Sequence, residues 1–370
     1  MSLAPAPDTR PESRPGPHPD ARAPARGGRP SRAALALPAL AAAAVGLALA
    51  ELVYGPVHLS LARIWAVAQG QGDAAAEAIL MRIRLPRLGL GIAAGAALAL
   101  SGAALQGILR NPLADPGLIG VTGGAAAAAV SMIVLGGGVM AALPGFLVPW
   151  ALPLAAFAGA AAVTAFVFAA ARRGGATSVA TLILAGVAVN AIAFAVIGAL
   201  SFVSDDQQLR ELTFWNLGGL GGAAPGPIGV AAAAAAAAGL GLMRLARGLD
   251  LMQLGERAAF HAGLDVERAK FAAAAWSALA VGAVTAAAGP IGFVGLVGPH
   301  LARLLVGPGH ARLLPASALC GVALVLAADL AVRTAVPPAE PPIGLATSLI
   351  GGPFFLWLLL RRLRREGPDA

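Results

Sequence analysis

Residues 84–116 read RLPRLGLGIAAGAALALSGAALQGILRNPLADP, and this stretch decides the fold class. Its middle, from Leu88 to Leu109, carries no charged residue. A helix of roughly 20 apolar residues is long enough to cross the hydrocarbon core of a bilayer. Arginines precede the apolar segment and an Asn-Pro…Asp-Pro turn follows it. The stretch therefore predicts a membrane-spanning helix with two chemically different ends.

Similar apolar segments recur along the whole chain. The composition is 58% hydrophobic and 12% charged, whereas soluble domains carry about 25% charged residues. We therefore expect an all-α polytopic membrane protein with about ten transmembrane helices. The candidate spans are 33–53, 85–109, 117–137, 146–171, 178–203, 222–247, 271–289, 290–306, 312–333 and 342–360. The seventh and eighth meet at Gly289-Pro290, and they are either two short helices or a broken, re-entrant pair.

The two ends of the chain differ from the apolar body. Residues 1–32 are mostly Pro, Arg, Ala, Gly and Ser, with too few large apolar side chains to build a core, so we expect a disordered basic cytosolic tail. Residues 33–362 form the predicted transmembrane domain. Residues 363–370 form a short C-terminal cytosolic tail.

Basic residues are divided unevenly between the predicted loops. With the N-terminus inside and ten alternating spans, 20 of the 26 Lys and Arg residues fall on the cytosolic side and six outside. Because cytosolic loops carry an excess of Lys and Arg, this distribution favours ten spans with both termini in the cytoplasm over nine. It also accounts for the net charge of +8 without a nucleic-acid partner.

The turn after the second span predicts a stiff cytosolic hairpin. Asn111-Pro112 ends the helix, since a proline disfavours helical backbone in the residue before it. Asp115 is placed to cap the next helix, with Pro116 at its first position. The hairpin would fix two spans to each other at one membrane surface.

A long polar interval, residues 249–270, lies between the sixth and seventh spans. It has helical composition from Leu254 to Ala262, a helix-stopping Gly263, and Asp265 as a cap for the next span. Two short helices joined at a glycine would lie along the inner surface. From the residues alone, both a docking element for a cytosolic partner and a passive interfacial connector remain open.

Catalytic and metal-binding patterns are missing from the sequence. The single lysine, Lys270, follows an alanine, so no GxxxxGK[ST] phosphate loop exists and any ATP hydrolysis must come from another chain. The histidines show no metal-ligand spacing. Asp205-Asp206 is expected in a solvated outer loop, and Asp329 is placed to pair with Arg333 one turn later. We therefore predict no enzyme activity, no cofactor and no metal site.

Four long stretches, in a fixed order, resemble the FecCD-type permeases, the membrane subunits of ABC importers for iron–siderophores, haem and cobalamin. They are RLPR with GAALALSGAALQGILRNPLADPGLIGVTGGA (84–125), LGERAAFHAGLDVERAK (254–270), the segment from GPIGFVGLVGPH to AADLAVR (289–333) and EPPIGLATSLIGGPFFLWLLL (340–360). The resemblance covers about residues 33–362.

The resemblance implies the type II ABC importer architecture, with ten helices in each permease subunit. It implies a homodimer or a pair of related permeases, two cytosolic ABC ATPase subunits and an extracytoplasmic substrate-binding protein, all at the cell membrane. Iron–siderophore complexes are the expected cargo, with cobalamin or haem as the alternative. A secondary transporter that works alone is a rival from another class.

The resemblance also assigns residues to the two partners. Arg84, Arg87 and Arg333 would receive acidic residues of the binding protein. Ordinary anchoring of a helix end is the competing role for Arg84 and Arg87, and pairing with Asp329 is the competing role for Arg333. The implied ATPase contact comprises Leu254, Gly255, Glu256, Ala262, Gly263, Leu264 and Asp265.

Overall fold

A computed structural model of the chain describes residues 32–335 and 341–366, and these form a bundle of α-helices with one small hairpin. The predicted tail lies outside the described residues except for Arg32, which begins the first helix. The predicted C-terminal tail is helical as far as Glu366, and residues 367–370 lie outside the described part.

The helices are α1 (Arg32–Val53), α2 (Leu61–Ala68), α3 (Ala74–Ala78), α4 (Leu85–Leu109), α5 (Val121–Leu135), α6 (Gly137–Ala142), α7 (Val148–Ala171), α8 (Val179–Val203), α9 (Asp206–Leu217), α10 (Pro225–Arg244), α11 (Ala246–Gln253), α12 (Glu256–His261), α13 (Val266–Ala288), α14 (Val294–Val306), α15 (His310–Ala335) and α16 (Ile343–Glu366). A π-helical segment, Ile79–Arg84, joins α3 to α4, and a 3-10 turn, Pro116–Ile119, precedes α5. Strands β1 (Arg172–Arg173) and β2 (Ala176–Thr177) pair antiparallel between α7 and α8.

Ten apolar helices account for the ten predicted spans. In the described residues, seven segments are long and apolar enough to cross a membrane, namely those that contain α1, α4, α7, α8, α10, α13 and α15. Three shorter apolar helices, at Val121–Leu135, Val294–Val306 and Ile343–Leu358, complete the set. The predicted all-α polytopic fold is confirmed.

Helix α4 lies at the centre of the bundle, with 78% of its most apolar window buried. It packs against α10, α13, α14 and α15. The sequence allows this because α4 is rich in Gly and Ala, which let backbones approach closely. A Cβ added at Gly102 would overlap the Gly295 carbonyl of α14, and one at Gly95 would overlap Gly321 of α15.

Helices α1 and α8 lie at the periphery, each with only 17% of its window buried. On α8 the large side chains of Phe194 and Phe202 are exposed. An apolar surface of this kind suits contact with lipid or with another membrane subunit.

The seventh and eighth spans are a broken pair of unequal helices. Helix α13 begins at Val266, five residues before the predicted start, because the Asp265 side chain accepts a hydrogen bond from the Arg268 N–H and caps it. Residues 289–293 are not helical. Phe293 then adopts a left-handed conformation (φ 65°), and α14 is only 13 residues long.

The expectation that Asp205-Asp206 lies in a loop is wrong. Asp205 caps α9 in a capping box with Gln208, each side chain bonding the other residue's backbone N–H. Helices α2, α3, α6 and α9 and the β-hairpin were not expected, since α9 is rich in polar residues and the others are too short to give an apolar signal.

Candidate docking and coupling sites

Helix α4 separates two groups of predicted site residues. Arg84 immediately precedes the first residue of α4. At the other end, Arg110 immediately follows the last residue, and Gly255 lies beside its guanidinium, which is 3.8 Å from the position of an added Cβ. Twenty-five helical residues at 1.5 Å each span about 37 Å. We call the two ends of the bundle the Arg84 end and the Gly255 end.

The structure brings Arg84, Arg87 and Arg333 together at the Arg84 end. Arg84 ends the π-helical segment, Arg87 lies in the first turn of α4, and Arg333 lies in the last turn of α15. The antiparallel packing of α4 and α15 therefore joins two motifs that are far apart in the sequence.

Asp329 is shared by two of these arginines. Its Oδ2 lies 2.9 Å from Arg87 Nε and 3.0 Å from Arg333 Nε, and its Oδ1 lies 2.9 Å from Arg87 Nη2. The predicted Asp329–Arg333 pair is confirmed. Arg333 also contacts the Glu51 carboxylate from α1, a partner that the sequence did not indicate. The result is a buried chain of two carboxylates and two guanidinium groups that joins three helices.

Arg84 is held by backbone rather than by a carboxylate. Its guanidinium donates to the carbonyls of Leu52 and Val57, at the end of α1 and in the loop of residues 54–60. Arg84, Arg87 and Arg333 are 4%, 6% and 3% exposed. In this chain all three arginines are therefore internal groups; Arg84 and Arg333 contact α1 or the loop that follows it, and Arg87 contacts Asp329 of α15.

A cavity of about 680 Å³ opens beside Arg87 at the Arg84 end. Its wall includes Glu211 and Trp215 of α9, the glycine-rich residues 218–222 and the start of α16 at Ile343. The wall is mostly apolar side chains and backbone.

The hairpin at the Gly255 end has the predicted caps. Arg110 takes a left-handed conformation (φ 50°) at the end of α4, and Asn111 Oδ1 accepts from the Leu113 N–H at 3.0 Å. Asp115 Oδ1 accepts from the Gly117 N–H at 2.8 Å, with Pro116 in the first position of the 3-10 turn. These contacts confirm that Asp115 is a capping residue.

The hairpin is also tied to α14. Gln106 in the last turn of α4 donates to the Ala114 carbonyl at 3.4 Å, and its side-chain oxygen accepts from Arg303 at 3.1 Å. The contact between Gln106 and Arg303 could not be predicted from the sequence, because a single polar residue in an apolar helix does not indicate its partner.

Residues 246–261 form two short helices joined at Gly255, so the helix predicted from Leu254 to Ala262 is shorter and begins only at Glu256, while Gly263 follows its end as expected. Gly255 (φ 109°) separates α11 from α12, and Gly263 (φ 86°) separates α12 from the Asp265 cap. Both conformations favour glycine, because side chains clash with the backbone in the left-handed region. Leu254 and Phe260 expose large apolar side chains on this segment.

The α11 helix is anchored to the body of the bundle by a pair that the sequence did not reveal. His310 begins α15 and is fully buried, and both its backbone N–H and its Nδ1 contact Asp250 Oδ1, at 2.8 and 2.7 Å. A displacement of α11 would therefore act on the first turn of α15.

The fold is that of an ABC transporter membrane subunit. It matches the solved structure of an inward-facing ABC transporter described as of metal-chelate type, with a TM-score of 0.77 and 30% identity over 88% of this chain and 99% of that chain. This comparison defines the class of protein to which the bundle belongs.

The chain belongs to the FecCD transport family, whose model matches residues 42–361. It is 43% identical to the hemin transport system permease protein HmuU of Yersinia pestis, over 87% of this chain and 94% of the relative. It is 42% identical to the cobalamin import system permease protein BtuC of Halobacterium salinarum, over 78% and 74% of the two chains. The chain is thus a polytopic permease subunit of an ABC importer.

Proposed function

We propose that this chain, paired with a second copy or a related permease, forms the transmembrane path of an importer for an iron chelate. The observation that carries the proposal is its 43% identity to a haem permease along 94% of that relative. Two cytosolic ATPase subunits supply the energy, and an extracytoplasmic binding protein supplies the substrate. The chain itself hydrolyses no ATP, in keeping with the lack of a phosphate loop.

Haem is the chelate to test first. The family resemblance implies iron–siderophore complexes with haem or cobalamin as the alternative, and the two relatives above carry haem and cobalamin in their names. Haem is itself an iron chelate, so the haem relative refines the expected substrate class without changing the metal.

The test is uptake into proteoliposomes that contain this permease with its cognate ATPase and binding protein. We expect ATP-dependent uptake of haem, compared in parallel with cobalamin and a ferric siderophore. Uptake of cobalamin alone would show that the substrate is cobalamin and not an iron chelate. Uptake without the ATPase and the binding protein would show a stand-alone secondary transporter and would overturn the proposal.

We propose that the ATPase docks at the Gly255 end, on residues 254–265. Support comes from the exposed side chains of Leu254, just before α12, and Phe260, within α12. They give this segment an apolar surface that faces away from the bundle. This placement requires the Gly255 end and both termini to face the cytoplasm.

At the Arg84 end we propose that the binding protein docks and that the buried arginines shape the docking surface. Direct pairing of Arg84 and Arg333 with acidic residues of the partner requires loop 54–60 to move, because both are buried against it. Arg87 is also buried, but it borders the cavity at this end. Arg82 and Arg210 are exposed at this end and meet a partner without rearrangement.

Charge reversal at Arg82 and Arg210 should weaken the binding of the substrate-binding protein, and the loss of affinity should be larger at low salt. Unchanged affinity would contradict this docking surface.

A further inference from the structure

Lys270, the only lysine of the chain, lies in the second turn of α13 at the Gly255 end, and its side chain is 4% exposed. Its ammonium group lies 2.8 Å from Glu256 Oε1, 3.0 Å from the Thr177 carbonyl and 3.2 Å from Glu267 Oε1. One cation therefore contacts α12, β2 and its own helix α13 at the same time.

Glu267 completes the contact with the hairpin. Its other oxygen, Oε2, accepts from the Thr177 N–H at 2.9 Å and from the Thr177 hydroxyl at 2.6 Å. Thr177 is followed by Ser178, whose side chain caps α8 through the Thr181 N–H. The hairpin and the start of α8 are thus held on α13, and the Glu256 carboxylate of α12 joins them through the Lys270 ammonium.

The chemistry of this group suits lysine. An ammonium ion has three N–H donors that point in different directions, which matches three oxygens on three elements. A buried charge is stable only when it is paired and hydrogen-bonded, so losing an acceptor from Lys270 is costly. The neighbouring Arg268–Asp265 pair differs, because Arg268 is 89% exposed and a surface pair contributes little.

The elements joined by Lys270 differ in how firmly they are held. Helix α13 has 61% of its apolar window buried, whereas α8 has 17%. Glu256 is 45% exposed, so α12 lies at the surface. Within this chain, Lys270 therefore links a surface helix and a peripheral span to a central helix.

We propose that Lys270 is a positioning residue for energy coupling, which transmits displacement of α12 to the β-hairpin and the first turn of α8. The inference rests on the proposed docking of the ATPase at residues 254–265. It goes beyond that proposal because it names the route from the docking helix to a membrane span and the residue on which the route depends.

The test uses Lys270→Met and Glu267→Gln in the full transporter, reconstituted with its cognate ATPase and binding protein; neither residue belongs to the proposed docking segment. The readouts are co-purification of the ATPase, ATP hydrolysis and substrate taken up per ATP hydrolysed. We expect each variant to retain the ATPase but to lower uptake per ATP roughly fivefold or more. The double variant should be little worse than Lys270→Met alone, because both substitutions weaken the same connection between α13 and the β-hairpin. Arg268→Met, beside it on the same helix, is the matched control and should leave the ratio unchanged.

The outcomes separate the two proposals. A purely structural lysine would lower the amount of assembled protein while leaving uptake per ATP unchanged, and that result would overturn the inference. If Lys270→Met does not fold, the partly exposed variant Glu267→Gln decides, because it keeps the lysine and weakens the contacts of α13 with the β-hairpin. If the unsubstituted permease and ATPase do not associate through residues 254–265, the proposed docking itself fails.

Discussion

Asp329 holds two guanidinium groups at the buried centre of the Arg84 end. Arg87 donates hydrogen bonds to it through two nitrogens, Arg333 forms an ion pair with it at 3.0 Å, and Glu51 pairs with Arg333 from α1. Charges removed from water are stable only when their partners remain. Arg87 and Arg333, which the family resemblance assigns to docking, thus also hold α1, α4 and α15 together.

Replacing Asp329 by Asn should strongly destabilise the permease, because two guanidinium groups would remain buried without their shared carboxylate. We expect a loss of about 3–5 kcal/mol, measured by thermal unfolding of the protein in detergent. Asp73→Asn is the matched control, since Asp73 pairs with Arg63 in a half-exposed bridge. Equal effects of the two substitutions would contradict the structural role of the buried cluster.

Asp115 should make stability depend on pH. Burial raises the pKa of Asp115, and the Gly117 N–H bond opposes this only in part. A carboxyl whose pKa is higher in the folded state binds protons more readily when folded, so its contribution to stability falls as pH rises from 3.8 through the raised folded pKa. Asp115→Asn keeps the cap and should remove this fall in Tm, as followed by melting across that pH range.

Asp73 is a control, because its contribution to stability should change with pH in the opposite direction. The hydrogen bond from Arg63 and the Ala76 N–H hold the pKa of Asp73 below its usual value. Its contribution is therefore present at neutral pH and is lost as pH falls through the folded pKa. The Tm difference between the unsubstituted protein and Asp73→Asn should thus grow with pH, and a parallel response at Asp115 would refute the sign assigned there.

At the scale of elements, helix α4 was predicted at its observed bounds, residues 85–109. Its start and end are marked by local signals, a pair of arginines and an Asn-Pro turn, so the sequence suffices. Residues 289–293 are different. Gly289 packs against the Trp215 carbonyl of α9, and Gly344 of α16 packs against Leu217 and Pro290. The break between α13 and α14 therefore depends on contacts with segments that are distant in the sequence, so the sequence alone could not distinguish two short helices from a broken pair.

Gly102→Ala should disturb the contact between α4 and α14, because the added methyl group would overlap the Gly295 carbonyl. We expect a loss of about 1–3 kcal/mol in thermal unfolding. Gly89 lies on the same helix with nothing within 4 Å of an added Cβ, so Gly89→Ala should leave stability unchanged or raise it slightly. A harmless Gly102→Ala would mean that the two helices are further apart than described.

Gly263→Val should uncouple ATP hydrolysis from transport through backbone strain, since nothing lies near an added Cβ there. At φ 86° a β-branched residue is strongly disfavoured, whereas Asn tolerates the left-handed region. Uptake per ATP should therefore fall in Gly263→Val and be largely kept in Gly263→Asn. Normal coupling in the valine variant would place the docking element elsewhere.

At the scale of the whole molecule, the two groups of site residues lie at opposite ends of α4. The sequence could predict this because length, apolar runs and the distribution of basic residues are properties of the chain itself. It could not predict that Arg333 meets Glu51, 282 positions away, or that the arginines would be covered. Those facts depend on how α1 and loop 54–60 close over α4 and α15.

The opposed ends can be checked by thiol labelling in intact cells. Cys320 is buried and can be replaced by Ala, after which Gln71→Cys reports the Arg84 end and Phe260→Cys the Gly255 end. An impermeant maleimide should label Gln71→Cys directly and Phe260→Cys only after permeabilisation. Labelling of both from the same side would remove the basis of the proposed importer.

The contacts between glycines also limit how this chain can vary. Gly95 and Gly321 each face the other's backbone, and so do Gly124 and Gly159. A larger residue at one position cannot be offset by a smaller one at the other, because the partner already has no side chain to lose. A second substitution within the same pair therefore cannot compensate. A relative with a larger residue at either position must also change the angle at which the two helices cross.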